Sequence, residues 1–137
     1  MRLKDKSAIV TGAASGIGAE IARAFAREGA KLCVADVDLV GAERVATEIG
    51  GRAIGVRMDV TREEEVERGV AAAAQALGGI DVLVSNAGLQ HLDNIADLSF
   101  ENWRRILAVH LDGGFLTARA CLRRMIGQGR GGSIVLM

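Results

Sequence analysis

The chain has 137 residues, half of them apolar, and a formal net charge of zero. That length suits one domain with a real core, and the balanced charge removes the electrostatic case for nucleic acid or a membrane surface as a partner. No apolar run approaches the roughly 20 residues that cross a bilayer, residues 1–6 lack the apolar stretch of a secretion signal, and Cys33 and Cys121 have neither metal nor redox spacing.

The cysteines read as buried packing, and the whole as a cytoplasmic protein that binds no metal. In chain order, residues 7–10 predict a strand, followed by the turn Thr11-Gly12-Ala13-Ala14-Ser15-Gly16-Ile17-Gly18. Ile17, Ile21 and Phe25 then recur at helical spacing over residues 16–28, and Gly29 stops the helix. Residues 31–36 predict a second strand, 39–49 a helix closed by Gly50-Gly51, and 52–58 a third strand. A helix over 63–77 has Thr61 as N-cap and Gly78-Gly79 as its stop. Residues 80–85 predict a fourth strand and 86–98 a loop. Ser99 caps a long helix running from 100 to about 126, on which Trp103, Leu107, His110, Gly114 and Ala118 share one face. Four glycines end that helix, and residues 133–137 start a fifth strand.

Near-continuous apolar strands alternating with helices predict a parallel sheet covered on both faces. The expected fold over residues 1–137 is therefore α/β, a doubly wound Rossmann-type sheet truncated after its fifth strand. Ending on Ile134-Val135-Leu136-Met137 leaves an apolar edge, as expected of the first part of a longer protein.

A strand that feeds a glycine turn and then a helix suits a dinucleotide pyrophosphate. Glycines allow a tight turn, close approach to the phosphates and helix-on-strand packing, and the N–H groups at the helix start face the anion. Gly12, Ser15, Gly16, Ile17 and Gly18 are the candidate residues. Asp36 closes the second strand, eighteen residues past Gly18. A carboxylate there accepts from the adenosine ribose hydroxyls and repels a 2′-phosphate; the simpler alternative is a solvated strand-end Asp. With no basic residue adjoining Asp36, the expected cofactor is NAD.

The spacing T-G-x-x-x-G-x-G, together with Asn86-Ala87-Gly88 after the fourth strand, resembles the short-chain dehydrogenase/reductase family over essentially the whole chain. The resemblance implies that Asp59 and the Val60 backbone contact adenine, and that Asn86, Ala87 and Gly88 approach the cofactor while Asn86 braces the neighbouring strand. Taken alone, these residues also suit a helix-leading Asp and a generic turn. The run Asn86-Ala87-Gly88-Leu89-Gln90-His91 is similar to that of bacterial D-3-hydroxybutyrate dehydrogenases, which implies a substrate-carboxylate contact for Gln90. His91 reads as a loop residue. Trp103 and Val109-His110-Leu111-Asp112-Gly113-Gly114-Phe115 resemble the family's W-x5-V-N-L-x-G-x-F, and His110 stands where most members carry a catalytic Asn. His110 is thus a candidate catalytic residue holding a proton-relay water, or else a satisfied interior histidine.

The family's Tyr-x-x-x-Lys segment is missing, for the chain contains no tyrosine. The resemblance therefore implies the cofactor half of an NAD-dependent oxidoreductase that acts on a small secondary alcohol or ketone such as 3-hydroxybutyrate. It also implies a homo-oligomer when the protein is complete, and no turnover by residues 1–137 alone. A non-catalytic nucleotide-binding fragment or regulatory module is the alternative. A methyltransferase shares the glycine turn but not the glycine spacing or Asn-Ala-Gly.

Overall fold

Strand β1 (Ser7–Thr11) is buried along its whole length because it lies at the centre of the sheet. The computed structural model describes residues 1–137. In it β2 (Lys31–Asp36), β3 (Ala53–Arg57), β4 (Val82–Ser85) and β5 (Ser133–Leu136) join β1 in parallel, in the order β3-β2-β1-β4-β5. Ile9 pairs with Cys33 on β2 and Leu83 on β4. Successive strand side chains point to opposite faces, so these three enter one core layer with Val66, Val70, Leu77 and Met125. Ala8, Val10, Leu32 and Val34 enter the other with Ala19, Ala22, Ala42 and Val45. Helices cover both faces, as expected of a doubly wound sheet.

The second layer is rich in alanine, which lets α1 (Gly16–Arg27) and α2 (Leu39–Ile49) lie close to the strands. Gly55 on β3 serves the same end: a Cβ there would stand 2.7 Å from the Glu43 backbone nitrogen of α2. The opposite face carries α3 (Glu63–Leu77) and α5 (Gly113–Gln128). Gly78 ends α3 in a left-handed conformation, the stop expected of a glycine at that position.

The start of α3 differs from expectation. Arg62, not Thr61, occupies the N-cap position and makes no side-chain cap bond. Thr61 instead donates to Asp59 Oδ1 through its N–H at 2.9 Å and its hydroxyl at 2.6 Å. The acids Glu63, Glu64 and Glu65 in the first turn offset the positive end of the helix dipole without a cap. Strand β4 also begins two residues later than expected. The Ile80 N–H is taken by the Gln128 side chain at 2.7 Å rather than by a neighbouring strand.

Ser99 caps α4 (Phe100–Leu107) as expected, accepting from the Asn102 N–H at 3.1 Å. Helical backbone continues through a π-helical turn, Ala108–Asp112, into α5 and ends at Gly129. That turn corrects the expected helix face. An i→i+5 turn inserts a residue and rotates everything beyond it. The buried stripe of α5 is Gly113, Thr117, Ala120, Cys121 and Met125; Trp103 remains 43% exposed, and His110 is exposed rather than interior.

Candidate functional site

Strand order reverses between β1 and β4, so the chain segments that leave their C-terminal ends diverge. Open α/β sheets bind ligands in that crevice, and here it is a cleft of about 760 Å³. Gly12, Ser15, Ile17, Asp36, Asp59, Val60, Asn86, Ala87, Gly88, Gln90 and His110 all line it. Gly16 sits instead in an adjoining groove along α1, and Gly18 is buried beneath the turn. The structure thus brings together nearly every residue singled out from five separate stretches of sequence.

The glycine turn is built against the loop after β4. Gly12 has φ +64°, and a Cβ there would lie 2.7 Å from Ala87 Cα. A Cβ on Gly18 would lie 2.6 Å from Asn86 Nδ2. The Asn86 amide occupies that gap, donating to the carbonyls of Thr11 at 3.1 Å and Gly12 at 3.3 Å. It therefore braces the neighbouring strand as expected. Gly16, at φ +57°, has open space where its Cβ would stand. Ser15 begins α1 without a side-chain cap bond, leaving the leading helical N–H groups without a side-chain acceptor. These features suit a bound anion, and Ile17, 67% exposed at the rim, suits a partly apolar ligand.

Each acid in the wall is held by backbone. Asp36 Oδ2 accepts from the Ala14 N–H and Oδ1 from the Asp38 N–H, both at 3.0 Å. At Asp59, burial pushes the carboxyl pKa up, but the Thr61 hydroxyl and amide, with Arg62 and Arg57 nearby, outweigh it and hold the group below its ordinary value. Asp59 is therefore an acceptor, with one oxygen engaged by Thr61 and the other available.

Five further contributors were not among the candidate site residues, although Thr11 opens the glycine motif and Leu89 lies in the run after the fourth strand. The buried Thr11 hydroxyl accepts from the N–H groups of Asn86 and Ala87, both at 3.0 Å. Val37, Leu89 and Arg105 line the cleft. Arg44 on α2 donates to the Ala14 carbonyl through Nη2 at 3.3 Å, while the Ala14 N–H donates to Asp36, so both side chains meet the same turn residue. Only the tertiary fold reveals it.

His110 shares the wall near Gln90. A Cβ on Gly88 would stand 2.6 Å from its Cε1. Nε2 lies 3.1 Å from the Leu89 nitrogen and 2.9 Å from the Leu89 oxygen, and the ring tautomer decides whether it accepts from one or donates to the other. Cys33 and Cys121 lie in one core layer, and burial pushes both thiols up to about 12. They are packing, as expected.

The family model for short chain dehydrogenases matches residues 6–137. The chain belongs to that family. It is 41% identical over 137 residues to the sorbitol dehydrogenase of Cereibacter sphaeroides, covering 100% of this chain and 54% of that protein. It is 40% identical to the galactitol 2-dehydrogenase of Agrobacterium fabrum, with the same coverage. Among solved structures, a short-chain type dehydrogenase/reductase from Mycobacterium marinum superposes with a TM-score of 0.92 at 40% identity, over 96% of this chain and 53% of that one. The 3-ketoacyl-(acyl-carrier-protein) reductase of Brucella melitensis complexed with NADH gives 0.92 at 38% identity, over 96% and 56%. The chain thus spans about half the length of these short-chain dehydrogenases, and no helix in it is long and apolar enough to cross a membrane.

Proposed function

We propose that the cleft binds NAD and that the chain forms the cofactor-binding part of an NAD-dependent dehydrogenase acting on a secondary alcohol or ketone. The observation that carries this is Asp36, set on the cleft wall beside the glycine turn with a carboxylate that retains free lone pairs. A ribose diol donates to such a group, whereas a 2′-phosphate is repelled by it. Gly12, Ser15, Gly16, Ile17 and Gly18 then form the pyrophosphate turn. Asp59 and the Val60 backbone meet adenine, with Val37 and Val109 as apolar walls. Asn86, Ala87 and Gly88 floor the nicotinamide side. When bound, the nicotinamide supplies the hydride acceptor, and this chain's residues hold and orient it.

The substrate end lies past Gly88, where Gln90, Arg105 and His110 line the cleft. Two substrate classes suit it. Likeness to sorbitol and galactitol dehydrogenases supports a polyol. Gln90 on the wall supports a short 3-hydroxy acid, because a neutral amide donates to a carboxylate without a buried cation. His110, bonded to Leu89, positions this stretch of the wall. If Gln90 reads a carboxylate, Gln90→Leu in the whole protein impairs 3-hydroxybutyrate far more than a neutral alcohol, since the carboxylate loses its partner; equal losses on both leave the polyol reading.

Fluorescence titration with NADH and NADPH tests the cofactor. The expected result is tighter NADH binding, with the preference narrowed by Asp36→Asn. Equal affinity for both cofactors in the unmodified chain, or a ratio unmoved by the substitution, contradicts the reading.

A further inference from the structure

The glycine turn leans on the end of β2 and the start of α2 before any ligand arrives. Ala14 at its centre is only 4% exposed. Its N–H donates to Asp36 Oδ2 at 3.0 Å, and its carbonyl accepts from Arg44 Nη2 at 3.3 Å. The preceding Ala13 N–H donates to the Ala35 carbonyl at 3.2 Å. Gly41 admits α2 to this contact, for a Cβ there would stand 2.9 Å from the Ala14 Cβ. Arg44 is itself tethered: its Nε lies 3.9 Å from Glu48, which also binds Arg23 of α1 at 2.5 Å.

We propose that Asp36 and Arg44 clamp Ala14 by its two backbone polar groups, making both of them positioning residues for the pyrophosphate turn. Asp36 then has two duties. A carboxylate offers about four lone-pair sites, and the Ala14 and Asp38 N–H groups use two. The remaining two serve the ribose diol, so bracing the turn and reading the ribose coexist on one side chain. Arg44 lies outside the glycine fingerprint and acts through the turn rather than on the adenosine. Removing the Asp36 carboxylate therefore does more than relieve repulsion of a 2′-phosphate. It also loosens the turn that every dinucleotide needs, so Asp36→Ala weakens both cofactors.

The ligand arm of this proposal rests on the cofactor reading above; the structural arm does not. Amide hydrogen exchange in the ligand-free 137-residue chain reads the clamp directly. Asp36→Ala is expected to speed exchange at Ala14 by about tenfold or more, the effect of losing a hydrogen bond to a charged group. Asp36→Asn, which keeps an acceptor oxygen, leaves it slower than in Asp36→Ala. Exchange at the core amide of Val45 shows that each variant is folded, and Arg44→Ala serves if Asp36→Ala is not. An Ala14 amide that exchanges at the parent rate in the folded variants overturns the clamp, whatever the chain binds. In titrations, Asp36→Ala is expected to weaken NADH and NADPH alike, while Asp36→Asn mainly narrows their ratio. A gain in NADPH affinity in Asp36→Ala, equal to its loss of NADH affinity, overturns the bracing duty and leaves only ribose reading. If the unmodified chain binds neither cofactor, the cofactor reading fails and the exchange result alone decides the clamp.

Discussion

Gly88 and His110 show how one residue choice constrains another. The imidazole fills the place where a side chain on residue 88 would begin, with its Cε1 2.6 Å from an ideal Cβ. A methyl at residue 88 would push the exposed imidazole off its bond to Leu89, a loss of about 0.5–1.5 kcal/mol, so Gly88→Ala is expected to destabilise the chain by that order. His110→Ala removes the obstacle, and a double-mutant cycle by denaturant unfolding should show strong positive coupling between the two sites. Additive effects would mean that His110 moves aside freely and does not hold the loop. The turn Asn-Ala-Gly was legible in the sequence, but the reason for its glycine was not, because His110 lies 22 residues away and reaches it only through the π-helical turn. Thr11 is a similar case. Its hydroxyl accepts from two N–H groups of the β4 loop, which no local pattern announces.

At the scale of elements, the sheet is fastened at the end opposite the cleft by Asp81, which precedes β4. Its carboxylate accepts from the Ser7 N–H at 2.9 Å and pairs with Arg130 at 2.8 Å. It joins the starts of β1 and β4 to the segment that leads into β5. Burial pushes its pKa up, but Arg130, the Ser7 amide and Lys6 more than compensate, holding it below the ordinary carboxyl value. A carboxyl depressed in the folded state contributes stability above its unfolded pKa and loses that contribution as pH falls through the folded one. Unfolding midpoints measured from neutral pH into the acid range should therefore fall less steeply in Asp81→Asn than in the parent, and the variant should be less stable at neutral pH. Parallel pH profiles would show that Asp81 has no such linkage. The charge was visible in the sequence; its burial and its partners, separated by more than forty residues on one side and seventy on the other, were not.

For the whole molecule, the distribution of apolar surface is informative. Phe100, Leu111, Phe115 and Ile126 along the α4–α5 rod are 71%, 66%, 58% and 71% exposed, and Leu136 on the edge strand β5 is 63% exposed. Apolar residues along a helical rod, next to a strand with one unpaired edge, favour association with further protein. Light scattering on the purified 137-residue chain is expected to show self-association that grows with concentration. A monodisperse monomer at high concentration would contradict this.

The order of strands and helices, the two-sided core and the glycine turn with Asp36 follow from local patterns, whereas the remaining cleft candidates, from Asp59 to His110, entered through the family resemblance. Apolar periodicity, glycine stops and the spacing of a phosphate-binding turn are short-range signals written within a dozen residues, so the sequence alone determined them. The π-helical turn, the rotated buried face of α5, the exposure of His110 and the approach of Arg44 to the glycine turn were decided by tertiary structure. Each depends on which distant surfaces meet: Val60 lies where a Cβ on Gly113 would be, the Leu89 backbone meets the imidazole, and Gly41 lets α2 touch Ala14. Such contacts are set by the packing of helices on a twisted sheet, and no period along the chain encodes them.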